Sequence, residues 1–395
     1  MRALILITGL VLGQVALSEN FSSGFREGGG GFYVASSDQS FQFSLMGYAQ
    51  MLGAFYSSDY YDKGIASRVD APTAFSMRRA RLDVMTTLFR DFEFLFEVGT
   101  PTLPIAVPAD HRNFGLIEAR LTTRLVRDYL QLRVGKFVGP FSSENSRSSR
   151  ALDVIERASV LNTMIATGAL DVQMGAMLFG RVWGGIFNWY FGLFNGNGSS
   201  SGTPNDNNGH KQIQVKGVIQ PIEEFSIGLG YETNSEPEGD LNLYDHAFVP
   251  YLSRKISGRR HGYLADVDIN YRDWSFRAEG MVFKFKNDAP AAGTASAGWQ
   301  GLIGAYGQLG YWLTGNDSKG VQAVVRWELA RFDNVTEGEP SDLQSVILGL
   351  NWHINANIKN QINYIGEIPN GASGTGAYSS SSMKHIFLNE LQVKF

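Results

Sequence analysis

The sequence contains no cysteine. That excludes a disulfide scaffold and any thiolate metal site, and it fits export to an oxidising compartment without demonstrating it. Long apolar runs are also missing. After residue 17 nothing approaches the ~20 consecutive apolar residues that a membrane-spanning helix needs. Positive charge is not in surplus: the formal net charge is -4 over 395 residues, which argues against a nucleic-acid partner. The six histidines (His111, His210, His246, His261, His353 and His385) show neither HxxxH nor paired spacing. An enzyme with a clustered histidine site is therefore not expected, and no catalytic residue, metal site or cofactor is assigned.

What is present is 45 glycines and 12% aromatic residues at a mean hydropathy of -0.13. A soluble chain of this length normally divides, since single cores stop growing beyond about 250–300 residues. The apolar residues here recur instead at period two. In FQFSLMGYAQMLGAF, Phe41, Phe43, Leu45, Ala49, Met51 and Phe55 alternate with Gln42, Ser44, Tyr48 and Gln50. The run is longer than a soluble strand of about five or six residues, and its period is not helical. The pattern recurs along the chain, for example where Phe92, Phe94 and Phe96 alternate with Glu93 and Glu97.

Sixteen such segments can be placed, with seven short turns interleaved with eight long loops. The short turns fall at Arg90-Asp91, Arg127-Asp128, Gly180-Arg181, Pro221 to Glu223, Arg272-Asp273, Asn316 to Lys319 and Asn355 to Asn357. The long loops fall at about 57–73, 100–113, 138–168, 195–210, 233–260, 287–299, 332–343 and 366–384. The expected fold is all-β: a transmembrane antiparallel β-barrel of 16 strands over residues 40–395, with short periplasmic turns and long extracellular loops. Phe395 ends a final strand whose Leu391 and Val393 share its face, which suits lipid contact. Such a barrel takes the bilayer and lipopolysaccharide of an outer membrane as partners.

Residues 1–18 have the form of a secretory signal, with Arg2 as the positive end, Ala3 to Val15 apolar, and Ala16-Leu17-Ser18 as the cleavage site. A membrane anchor is the rival reading, but the apolar stretch is short and polar, glycine-rich sequence follows it. Residues 19–39 are then a short periplasmic segment.

The stretches FSMRRARLDV (75–84) and LQLRVGKFVGPFSSENSRSSRALDVIERAS (130–159) resemble the phosphate-selective porin O and P family. The matching positions are Arg78, Arg79 and Arg81, then Val134 to Phe137, Pro140 to Ser142, Glu144, Ser148-Ser149 and Glu156-Arg157. Segments 190–198, 306–315 and 348–355 are also similar, so the resemblance spans nearly the whole mature chain. It implies a homotrimeric porin with the third loop folded into each pore, and an arginine-lined path for phosphate with lysines near the periplasmic mouth. The arginines are here: residues 78–157 hold twelve arginines and one lysine against ten acids, a local balance of +3. The lysine cluster is not, and this departure bears directly on phosphate selectivity.

Side-chain parity puts Arg79, Arg81, Arg120, Arg124 and Arg133 on the wet face of their strands, and Arg147, Arg150 and Arg157 in the third loop. Arginine suits an anion path because its planar fork stays charged and donates several hydrogen bonds. Two readings of these residues stand: an anion path, or ion pairs with Asp83, Glu93, Glu97 and Glu118 that hold the wall together. Arg78 and Lys136 fall on the lipid side unless a bulge reverses them. Asp266, Asp268, Glu279 and Glu328 face inward near Arg277 and Arg326, which would set a transverse field across the pore. Trp183, Trp189, Tyr190, Trp299, Tyr311, Trp312 and Trp352 suit interface girdles, and inward-facing Tyr48 could stack on a sugar. The function expected is passive diffusion of small solutes, favouring anions such as phosphate. The alternatives are a non-selective general porin and a structural or adhesive surface barrel that uses the large loops.

Overall fold

The computed structural model describes residues 21–57, 73–101, 114–196, 209–248, 250–287, 298–333, 342–370 and 383–395. The segment expected to be a signal and most of the tips of the long loops therefore lie outside the described residues.

Two short strands come first, β1 (Phe21–Arg26) and β2 (Gly31–Ser36). The barrel begins with β3 (Phe41–Tyr56), β4 (Thr73–Leu88), β5 (Phe92–Gly99), β6 (Gly115–Val126), β7 (Leu130–Val138) and β8 (Val172–Val182). It continues with β9 (Phe187–Phe194), β10 (Gln212–Ile222), β11 (Phe225–Tyr244), β12 (Pro250–Tyr271) and β13 (Trp274–Asn287). It ends with β14 (Gly298–Asn316), β15 (Lys319–Phe332), β16 (Asp342–Asn355), β17 (Ile358–Asn370) and β18 (Lys384–Lys394). Each strand pairs antiparallel with the next, and β18 returns to β3 from Ile386↔Tyr56 to Lys394↔Tyr48. The result is a closed barrel of sixteen strands, which leaves no unpaired edge for lipid to meet.

The period-two pattern becomes two faces. Phe92, Phe94 and Phe96 are exposed on the outer side, while Ser44, Tyr48, Gln50 and Glu328 are buried inside. Trp183, Trp274, Trp299 and Trp352 are exposed, as girdle residues should be. Tyr190 is an exception, because it lines an internal cavity.

Four expectations change. The loop at 233–260 is largely strand: β11 and β12 stay paired out to Tyr244↔Pro250, with the described residues 245–248 at the tip. The turn placed at Gly180-Arg181 lies later, because β8 runs to Val182 and the chain reverses over Trp183, Gly184 and Gly185. Both glycines have positive φ (70° and 97°), which a side chain would resist. Residues 21–36 form a hairpin that pairs with β3 from Phe32↔Leu45 to Ala35↔Gln42. β18 stops opposite Tyr48, so this hairpin continues its place in the wall at the short-turn end. Finally, Arg78 is the extra residue of a bulge between Gln50↔Arg79 and Met51↔Met77, and it is buried rather than lipid-facing.

Candidate functional site: a groove between the third loop and the wall

Between β7 and β8 the chain leaves the wall and crosses the interior as the third loop, L3 (139–171). It forms a short helix α1 (Ser143–Ser146), a 3-10 turn (Ser149–Ala151) and a second helix α2 (Ser159–Ala166). Ser142 caps α1 by accepting from the Asn145 amide at 3.0 Å.

L3 is held by buried charge. Glu156 receives Arg78 Nε at 2.5 Å and Arg79 Nη2 at 3.2 Å, which explains why the bulge turns Arg78 inward. Burial alone would raise the Glu156 carboxyl, but the two guanidiniums overcome this and hold it at about 2. Glu144 receives Arg326 at 2.5 and 3.1 Å. Glu279 accepts from Ser142 Oγ at 2.7 Å and the Glu144 amide at 2.5 Å. Asp153 is paired with Arg277 and accepts from Gln308 Nε2 at 2.9 Å. Lys359 donates to the Leu152 carbonyl at 3.0 Å, and Asn351 to that of Asp153 at 2.8 Å. The acids expected to set a transverse field are thus mostly occupied: Asp266, Glu279 and Glu328 are buried, in contact with L3 or a basic neighbour.

Apolar packing completes the attachment. Val160, Leu161, Met164 and Ile165 of α2 pack with Leu241 and Leu243 of β11 and with Phe283, Leu302 and Phe332 of the wall. Gly304 on β14 makes room for this, since a Cβ there would come within 2.3 Å of Val160 Cγ2. Gly304→Val is therefore expected to displace α2 and cost about 1–3 kcal/mol, read as a lower melting temperature of the folded barrel in detergent.

Open space remains on the opposite side, against β3 to β10. One cavity of about 280 Å³ is lined by Tyr48, Arg81, Asp83, Glu97, Arg147 and Arg150, among others. A second, of about 420 Å³, is lined by Arg120, Arg133, Arg147, Lys216, Glu118 and Tyr190 among others. They share Glu118, Arg120, Val138, Ser146 and Arg147, so they form one groove between L3 and the wall.

Six of the eight arginines picked out by parity and resemblance border this groove. Arg81 is paired with Glu97, Arg120 Nε lies 3.3 Å from Glu118, and Arg147 lies 2.8 Å from Asp268. Arg133 donates through Nε to Thr122 Oγ1 at 3.1 Å. Arg150 reaches the Gly29 carbonyl at 3.4 Å. Arg157 is buried and donates to the Arg147 carbonyl at 2.8 Å. Among the described residues, Arg133, Arg150 and Arg157 have no carboxylate within ion-pair distance. The other two are elsewhere. Arg79 anchors L3 through Glu156, and Arg124 is exposed at the short-turn end, donating to the Arg90 carbonyl at 2.7 Å. Lys216 and Tyr190 were missed as groove residues. Parity puts Lys216 on the wet face, alternating with outward Val215 and Gly217, but it stands outside the arginine-rich window 78–157.

Residues 51–374 match the family described as phosphate-selective porin O and P. The chain belongs to that family. It is a porin of the bacterial outer membrane, a channel for passive diffusion. The fold is also that of solved outer-membrane proteins. The DcaP channel of Acinetobacter baumannii is 11% identical, with a TM-score of 0.60 over 91% of this chain and 99% of its own. OmpF of Salmonella typhi, solved with daunomycin, is 9% identical, with a TM-score of 0.60 over 90% of this chain and 98% of its own. Vibrio cholerae OmpT in a trimer form is 9% identical, with a TM-score of 0.59 over 90% of this chain and 100% of its own. At such identities the likeness shows the fold alone. No curated protein matches the chain by sequence.

Seen in this family, the motif residues Glu144, Ser149 and Glu156 are chiefly fastenings of L3. Glu144 holds Arg326, Glu156 holds Arg78 and Arg79, and the Ser149 carbonyl accepts from Gln50 at 3.4 Å.

Proposed function

We propose that the porin conducts small solutes through the groove between L3 and β3–β10, with a preference for anions. The observation that carries this is the set Arg133, Arg150 and Arg157, which border the groove with no carboxylate in ion-pair range among the described residues. A paired arginine presents little net charge to a passing ion. An unpaired one in a narrow, partly dry passage presents nearly all of it. Several weak cationic positions in series attract an anion without trapping it. Signal cleavage after residue 18, long loops facing outward and a homotrimeric assembly complete the reading; the last is supported by the fold it shares with a protein solved in a trimer form.

Reversal potentials in a potassium chloride gradient test it. Wild type is expected to select chloride over potassium. Arg133→Gln with Arg150→Gln is expected to lower that ratio by on the order of threefold to tenfold. Arg124→Gln, at the rim, is expected to leave it unchanged. Cation preference in the wild type rejects the proposal.

A further inference from the structure

The larger cavity has a lining of two chemistries, and this says more about its ligand than its charge does. Its charged lining is Arg120, Arg133, Arg147 and Lys216, with Glu118 the one carboxylate among the described lining residues. Its apolar lining includes Phe137, Pro140, Met177, Val218 and the ring of Tyr190.

Three of the four cations already have acidic partners: Arg120 has Glu118 at 3.3 Å, Arg147 has Asp268 at 2.8 Å and Lys216 has Asp266 at 2.6 Å. Arg133 differs. Among the described residues its single hydrogen bond leaves through Nε, to Thr122. Its guanidinium carbon lies 5.1 Å from the Phe179 ring centroid and 5.7 Å from that of Phe137. The terminal nitrogens therefore keep their donors while aromatic faces fix the plane of the fork. Tyr190 is stacked on Phe179 with centroids 6.2 Å apart, and Phe137 meets Phe194 edge-on at 5.4 Å. The apolar wall is thus pre-arranged, and among the described residues the Tyr190 hydroxyl has no hydrogen-bond partner.

A small inorganic oxyanion is hydrated on every side and gains nothing from Met177, Val218 or Pro140. An anion with an apolar body satisfies both halves, placing its charged end on the Arg133 fork and its body against the aromatic wall. The volume of about 420 Å³ lies within the roughly 300–1,000 Å³ usual for small-molecule pockets. We propose that this cavity is a subsite for organic anions that carry one carboxylate on an apolar or aromatic body. The proposal rests on the anion-favouring path and goes beyond it by naming the ligand class.

The test uses the full-length porin in planar bilayers, with benzoate, acetate and inorganic phosphate each titrated into potassium chloride while single-channel current is recorded. Benzoate is expected to interrupt the current at concentrations on the order of tenfold lower than either acetate or phosphate. Arg133→Gln is expected to weaken the benzoate effect by about tenfold, and Met177→Gln to bring benzoate towards acetate. Equal effects of benzoate and acetate would show that the apolar wall is not used and would overturn the subsite. Stronger interruption by phosphate than by benzoate would overturn it as well. Both results leave the anion preference standing, because the chloride reversal potential reads that separately. Cation preference there removes the anion path and the subsite together.

Discussion

Glu156→Gln is expected to be among the most damaging single substitutions in the chain, although Glu156 belongs to L3 and not to the barrel wall. Its carboxylate is the shared partner of two buried guanidiniums, Arg78 at 2.5 Å and Arg79 at 3.2 Å. Removing one member of a buried ionic group costs about 3–5 kcal/mol, because the charge left behind stays desolvated. Among the described residues, Arg79 keeps only a more distant carboxylate, Glu390 at 3.8 Å. The melting temperature in detergent should fall, and single-channel current should become larger and noisier as L3 loosens from β4. Wild-type melting and quiet current in the variant would refute the anchoring role. The same site sets an acid limit. The carboxyl is depressed to about 2 from 4.5, so its contribution is complete above pH 4.5 and lost as pH falls through 2.

The anchoring role could not be separated from an anion path by sequence. Period two says which face of a strand a residue occupies, and that was enough to place Tyr48, Arg81, Glu97, Arg120 and Arg133 inside. It does not say what stands across the interior. Arg79 and Glu156 are 77 positions apart, and their meeting depends on how L3 crosses the barrel. Parity also fails wherever one residue is added, as the bulge at Arg78 shows. The β11–β12 extension was hidden for a different reason. Its outer part, NSEPEGD, contains proline, glycine and acids typical of a loop. What makes it a hairpin is tertiary: Arg260 is buried against Glu232 at 2.7 Å, and Leu241 and Leu243 lie under α2. The N-terminal hairpin is not legible in the sequence because its strands are six residues long and depend on β3 for a neighbour.

That β11–β12 tip carries the second large expected effect. It brings His246 into the interior, where Nδ1 lies 2.6 Å from Glu367 and Nε2 3.3 Å from Glu328. Ser159, which opens α2, lies 3.4 Å from Nδ1, and its amide donates to Glu328 at 3.0 Å. One histidine ring therefore joins the tip, β15, β17 and L3. Arg326 lies beside Glu328 at 2.8 Å, so the group holds cations and carboxylates in near balance. Burial opposes the charged ring, but the two carboxylates outweigh it and lift His246 well above 6.5. A group raised on folding contributes fully below its unfolded value and loses that contribution as pH climbs towards the folded one. Stability of the wild-type barrel should thus be flat below about pH 6.5 and decline above it, by at most about 1.4 kcal/mol per pH unit. His246→Gln should cost about 3–5 kcal/mol below pH 6.5 and lose the slope above it, so the two curves converge as pH rises. Thermal melting in detergent between about pH 6 and pH 9 distinguishes the outcomes. Curves that stay parallel across that range would mean that His246 is held as a neutral ring between Glu367 and Glu328.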